Sequence, residues 1–118
     1  MKDLAPGIVR QRLLLEGYYG IEVEEETIRE YFRDVTDALE LTMYGEPIIF
    51  SPQSLGSYDN QGYDAFVPLI DSGISLYVWK NHRFISVVIY TCKHFDVKQA
   101  VDYTCDFFDI KEAASRSF

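Results

Sequence analysis

Apolar and polar residues change rhythm several times along this chain, and each rhythm predicts an element. Over residues 8–19 the first part alternates apolar and polar positions, the period of a strand. From 24 to 42 the apolar positions Ile28, Tyr31, Phe32, Val35, Ala38, Leu39 and Thr42 recur at helical spacing. Glu24, Glu25 and Glu26 stand in its first turn, where carboxylates complement the positive end of the helix dipole. They read as a solvated helix start rather than a metal cluster. Gly45-Glu46-Pro47 ends the helix, and Ile48-Ile49-Phe50 opens a short strand. Residues 51–63 carry Pro, Gly, Asn, Asp and Ser with little periodicity. So long a loop in a compact domain points to function.

Three strand-like runs follow, at 65–70, 73–79 and 83–92. In the second, Ile74, Leu76 and Val78 alternate with Ser75, Tyr77 and Trp79, so one face is core and the other chemically varied. Lys80-Asn81-His82 supplies a tight connection and predicts an antiparallel hairpin. Residues 97–108 read as a second helix, with Val97, Ala100, Val101, Cys105 and Phe108 on one face and Asp96 as its N-cap. Cys105 belongs to that apolar stripe and reads as core packing. The order β-α-β-β-β-β-α predicts an α+β fold, a two-layer α/β sandwich whose antiparallel sheet carries two helices on one face. Residues 1–118 form one such domain.

Composition narrows the function. The chain has 118 residues, 47% of them hydrophobic, a globular profile. Eleven Lys and Arg against nineteen Asp and Glu give a net charge of −8. That balance argues against nucleic acid, whose phosphates are neutralised by Lys and Arg, and against an anionic membrane surface. Between residues 16 and 40 nine acids face only Arg29 and Arg33, so most of the charge belongs to one helix surface and its approach. No apolar run approaches the roughly 18 residues that span a bilayer, and residues 1–12 lack the apolar core of a secretory signal. The expectation is a cytoplasmic protein. Cys92 and Cys105 are too few for a disulfide framework, and with His82 and His94 isolated no metal site is expected.

The most informative window is 71–92, which opens Asp71-Ser72-Gly73-Ile74-Ser75-Leu76-Tyr77-Val78-Trp79 and closes Tyr90-Thr91-Cys92. It resembles the signature of the bacterial-type S-adenosylmethionine decarboxylases, Glu-Ser-His-Ile-Ser-Ile-His-Thr-Trp-Pro-Glu followed by a strand ending in Thr-Cys-Gly. The match runs without a gap from Ser72 to Cys92. Phe50-Ser51-Pro52-Gln53 is similar to the family's Phe-Ser-Pro-Gln-Gly, Glu16 falls where the family has an acid in its first strand, and Ala100-Val101-Asp102-Tyr103 resembles the helix after the cysteine.

The resemblance implies a chain that cuts itself, converting Ser72 into a pyruvoyl group. That carbonyl forms a Schiff base with S-adenosylmethionine and draws off electrons as carbon dioxide leaves, for polyamine synthesis. Asp71 replaces the family's glutamate, and Cys92 matches its proton donor. Other positions depart. The histidine after the serine is Gly73, the processing histidine is Tyr77, and the second processing serine falls at Asp64. Pro-Glu becomes Lys80-Asn81, and the glycine after the cysteine becomes Lys93. A phenol with an ordinary pKa of about 10 is a poor base at neutral pH beside an imidazole at about 6.5.

A site for the nucleoside sulfonium needs π faces and carboxylates, and Glu16, Phe50, Tyr58, Asp71, Tyr77 and Trp79 are the candidates. Against each stands a plainer reading: Trp79 as packing, Cys92 as an inert strand thiol, Ser72 as an ordinary polar residue leading a strand. Three functions follow. The chain is a decarboxylase-like enzyme acting on S-adenosylmethionine, a lyase that cleaves the same ligand by elimination without pyruvoyl, or a non-catalytic partner of an active homologue. A homo-oligomer is expected in each case, with the ligand site near an interface.

Overall fold

The computed structural model describes residues 1–52 and 57–118. Its elements are β1 (Gln11–Tyr18), α1 (Glu25–Ala38), β2 (Ile48–Phe50), β3 (Gly62–Leu69), β4 (Ser72–Trp79), β5 (Phe84–Thr91), α2 (Val97–Phe108) and β6 (Ala113–Ser117). The strands join into one antiparallel sheet in the order β2-β3-β4-β5-β1-β6, and α1 and α2 cover one of its faces. This is the expected two-layer α+β sandwich. Among the described residues no helix is long and apolar enough to cross a membrane.

Alternation along the strands decides which side chains meet the helices. Leu13 and Leu15 of β1, Val67 of β3, Ile74 and Leu76 of β4 and Val87 of β5 point inward and are buried. They pack beneath Ile28, Tyr31, Phe32 and Val35 of α1 and Ala100 and Phe108 of α2. Tyr31 lies between the helices: its ring sits 4.8 Å from that of Phe108 and 5.3 Å from that of Phe107. Its hydroxyl is 2.8 Å from the Thr104 hydroxyl, so its one polar atom is satisfied inside the core. Burial pushes the Tyr31 phenol well above its ordinary pKa, and the Thr104 hydrogen bond opposes that only in part.

Three boundaries differ from the sequence reading. The first helix stops at Ala38, not at 42, because Glu40 turns into the left-handed region at φ 57° and the Leu41 amide bonds back to the Thr36 carbonyl at 2.8 Å. Leu41 and Met43 keep their place against the core as extended chain, and Met43 bridges to Leu69. β3 begins at Gly62, inside the expected loop. There φ is 152° and a Cβ would stand 1.8 Å from the Val78 carbonyl oxygen, so only glycine lets the two backbones meet. The third difference is β6, which the sequence reading lacks. Ala-Ala-Ser-Arg-Ser has no apolar alternation and is exposed throughout, and it becomes a strand through its ladder to β1.

Candidate active site

Ser72 leads β4, directly after the two-residue turn Ile70-Asp71 that joins it to its partner Leu69. Asp71 holds φ at 53°, a conformation that Asp accepts more readily than most residues. The Ser72 hydroxyl is gripped by the end of β5. The Cys92 backbone N–H donates to Ser72 Oγ at 2.9 Å, Ser72 Oγ donates to Cys92 Sγ at 3.6 Å, and the thiol lies 3.5 Å from the Ile70 carbonyl. A cavity of about 240 Å³ on the helix side is lined by Ser72, Cys92 and Lys93. On the opposite face a second one, of about 340 Å³, is lined by Ser72, Ser75, Phe66 and Tyr90. Ser72 thus borders a cavity on each face at this end of the sheet, while Cys92 lines only the one on the helix side.

Strand register builds the rest of the site. Phe50, Asp64, Tyr77, Ser86 and Glu16 pair successively across β2, β3, β4, β5 and β1. They form one row on the face away from the helices. Ser86 is buried and donates to Glu16 Oε2 at 2.9 Å, fixing the carboxylate on that face. Neighbouring strands lie about 4.8 Å apart, so Glu16 and Tyr77 are roughly 10 Å from each other at the backbone. Tyr77 lies five residues from Ser72 along the same strand, about 17 Å away. The sequence candidates thus fall in two groups: Asp71, Ser72 and Cys92 at one end of β4, and Phe50, Tyr77 and Glu16 in a row beyond it.

Trp79 and Tyr58 lie farther still from Ser72. Trp79 packs its ring 5.5 Å from Phe84, which meets Tyr18 edge-on at 5.4 Å, around a cavity of about 330 Å³. Tyr58 is exposed, and its carbonyl accepts a hydrogen bond from Asn81 at 2.7 Å. His82 is held by Asp59 at 3.0 Å at this end, so it does not serve Ser72. Gln53 of the Phe50-Ser51-Pro52-Gln53 motif lies outside the described residues.

Two residues emerge that the sequence reading did not single out. Ser86 supports Glu16, and strict alternation along β5 was the signal that placed it opposite the core. Phe66 lies over Gly73, where a Cβ would come within 2.5 Å of its ring. The aromatic ring fills the room that a histidine after Ser72 would need.

At the Trp79 end of the sheet, Glu24 at the start of α1 accepts from the Tyr63 hydroxyl at 2.8 Å and pairs with Lys80 at 3.1 Å. Burial, then the hydrogen bond to this carboxylate, pushes the Tyr63 phenol up to about 12. The folded state thus holds a proton that the unfolded chain releases near pH 10. This contribution to stability is complete below about pH 10 and fades as pH rises through the folded value. Alkaline absorbance titration is expected to show one tyrosine ionising near 12 that Tyr63→Phe removes.

A sheet layered with two helices, carrying a serine–cysteine pair where β4 begins and β5 ends, defines a sandwich of the S-adenosylmethionine decarboxylase type. The family model described as S-adenosylmethionine decarboxylase matches residues 14–118, and the chain belongs to that family. Among solved structures it is similar to the adenosylmethionine decarboxylase from Aquifex aeolicus VF5, with a TM-score of 0.73 and 22% identity over 94% of this chain and 89% of that one. At this identity the likeness is one of fold. No curated protein sequence matches the chain.

The family depends on a pyruvoyl group, which here would be formed from Ser72 itself, with Cys92 beside it. The equipment for making it does not fit. Among the described residues the only side chain bonded to the Ser72 hydroxyl is that of Cys92. At the family's processing-histidine position Tyr77 offers a phenol in place of an imidazole.

Proposed function

We propose that this chain binds S-adenosylmethionine as an uncleaved polypeptide in which Ser72 stays a serine, and that two copies complete the site. The observation that carries this reading is the row Phe50–Asp64–Tyr77–Ser86–Glu16 on an uncovered sheet face. Aromatic rings beside a buttressed carboxylate supply what the ligand needs: π faces for the adenine and the sulfonium, and an acceptor for the ribose hydroxyls. Glu16 is the ribose acceptor, with Phe50, Tyr77 and Trp79 as ring partners. Asp71 and the Ser72–Cys92 pair face the amino-acid end.

The same face explains the second copy. Ile48, Phe50, Phe66, Tyr77 and Tyr90 are large, apolar or aromatic and exposed on it. Stacking two such faces about a two-fold axis running across the strands brings the Ser72 end of one sheet over the Tyr77 row of the other. That arrangement joins the half-sites that a single chain keeps about 17 Å apart.

Calorimetric titration with S-adenosylmethionine is expected to show binding that Glu16→Gln weakens about tenfold, the loss of one charge-assisted hydrogen bond. Lys98→Gln, on the outer face of α2, is the control and leaves it unchanged. No binding to the parent chain would overturn the reading. Product analysis on the same samples separates holding the ligand from cleaving it: methylthioadenosine marks elimination, and carbon dioxide marks decarboxylation.

A further inference from the structure

The chain is strongly acidic, yet its cations are not evenly spent on its acids. Of eleven Lys and Arg, seven form ion pairs among the described residues: Arg10, Arg29, Arg33, Lys80, Arg83, Lys98 and Lys111. Arg12 and Arg116 do not, and they line one cavity of about 600 Å³ together with Arg10, His94 and Phe118. The only acid lining that cavity is Asp3, which Arg10 already engages.

Arg12 carries the decisive detail. Its guanidinium lies over the Phe118 ring, 5.5 Å from the centroid, and its Nε is buried without a hydrogen-bond partner. It is the only such side-chain atom among the described residues. An unsatisfied buried donor on a cation is costly unless something fills its place. The β1 register sets Arg12 in the row Gly73–Tyr90–Arg12 and Arg116 opposite Leu14, so both leave the sheet on the face away from the helices.

We propose that Arg12 and Arg116 form an oxyanion site for a carboxylate or phosphate group. The ligand's oxygens take the Arg12 guanidinium edge, its Nε and an adjacent Nη pairing with them once the side chain turns toward the cavity, and Arg116 supplies the second cation. Phe118 holds the Arg12 plane from beneath. The anion has two sources of the same chemistry. One is the amino-acid carboxylate of a ligand lying along the sheet, since Arg12 is about 10 Å from Gly73 across two strand spacings. The other is a separate phosphate- or carboxylate-bearing metabolite.

The test uses inorganic phosphate with the full chain, read by calorimetry and by thermal melting against sodium chloride at matched ionic strength. Phosphate is expected to bind saturably, with an apparent Kd on the order of 1 mM or tighter, and to raise the Tm. Arg12→Gln and Arg116→Gln should each weaken it about tenfold, while Arg29→Gln, in the α1 ion pair with Glu25, leaves it in place. Arg116 sits on an exposed edge strand, so its variant keeps the fold. Equal effects of sodium chloride, or full phosphate binding by Arg116→Gln, would overturn the site. Competition by S-adenosylmethionine names the ligand's own carboxylate as the occupant, and its absence names a separate anion. Phosphate binding does not depend on the nucleoside reading, so the two proposals fail separately.

Discussion

Sedimentation of a Val88→Glu variant is expected to give a monomer at concentrations where the parent chain gives a dimer. Val88 is half-buried on β5, a central strand, and pairs with Ser75 on one side and Leu14 on the other. It points away from the helices, so the substitution leaves the core of the monomer intact. In a two-fold interface the change is made twice, placing two unpaired carboxylates in a closed seam. An uncompensated buried charge is worth about 3–5 kcal/mol, which raises a dimer Kd by at least about 100-fold. A parent chain that sediments as a monomer, or a variant that remains dimeric, would show that this face is not the interface.

Alanine at Tyr31 is expected to lower unfolding free energy by about 3–5 kcal/mol, the range for removing a buried aromatic side chain. Tyr31 is fully buried, contacts Phe32, Phe107 and Phe108, and closes its hydroxyl on Thr104. It is the principal ring contact between the two helices, so its loss opens a cavity that neither helix can close without leaving the sheet. Urea denaturation measures the effect through the midpoint at unchanged slope. A loss under about 1 kcal/mol would mean that α1 and α2 dock independently of this contact.

The helices and central strands were legible because a buried face imposes a period. Ile28, Tyr31, Phe32 and Val35 repeat as a helix must, and Ile74, Leu76 and Val78 alternate as a half-covered strand must. β6 was not legible, because a fully exposed edge strand has no face to pattern and is held by backbone pairing alone. The end of α1 was hidden for the opposite reason: Leu39, Leu41 and Met43 face the core on both sides of the break, so apolar spacing continued where the helix did not.

At the candidate site the sequence offered residues without their geometry. The resemblance singled out Ser72 and Cys92, and the structure joins them by hydrogen bonds. The predicted strand at 73–79 already set Tyr77 far along from Ser72, which leads it. It did not show that Phe50, Asp64, Tyr77 and Glu16, scattered over half the chain, share a row. Register across the sheet is a long-range property, and only the pairing of strands reveals it.

On the function proposed above, this member of the family keeps Ser72 in an unbroken chain. Intact-mass measurement under denaturing conditions, after prolonged incubation at neutral pH, tests it most directly. One species at 13.7 kDa without carbonyl reactivity is expected. Two fragments divided between Asp71 and Ser72, the second bearing a reactive carbonyl at its new start, would contradict it.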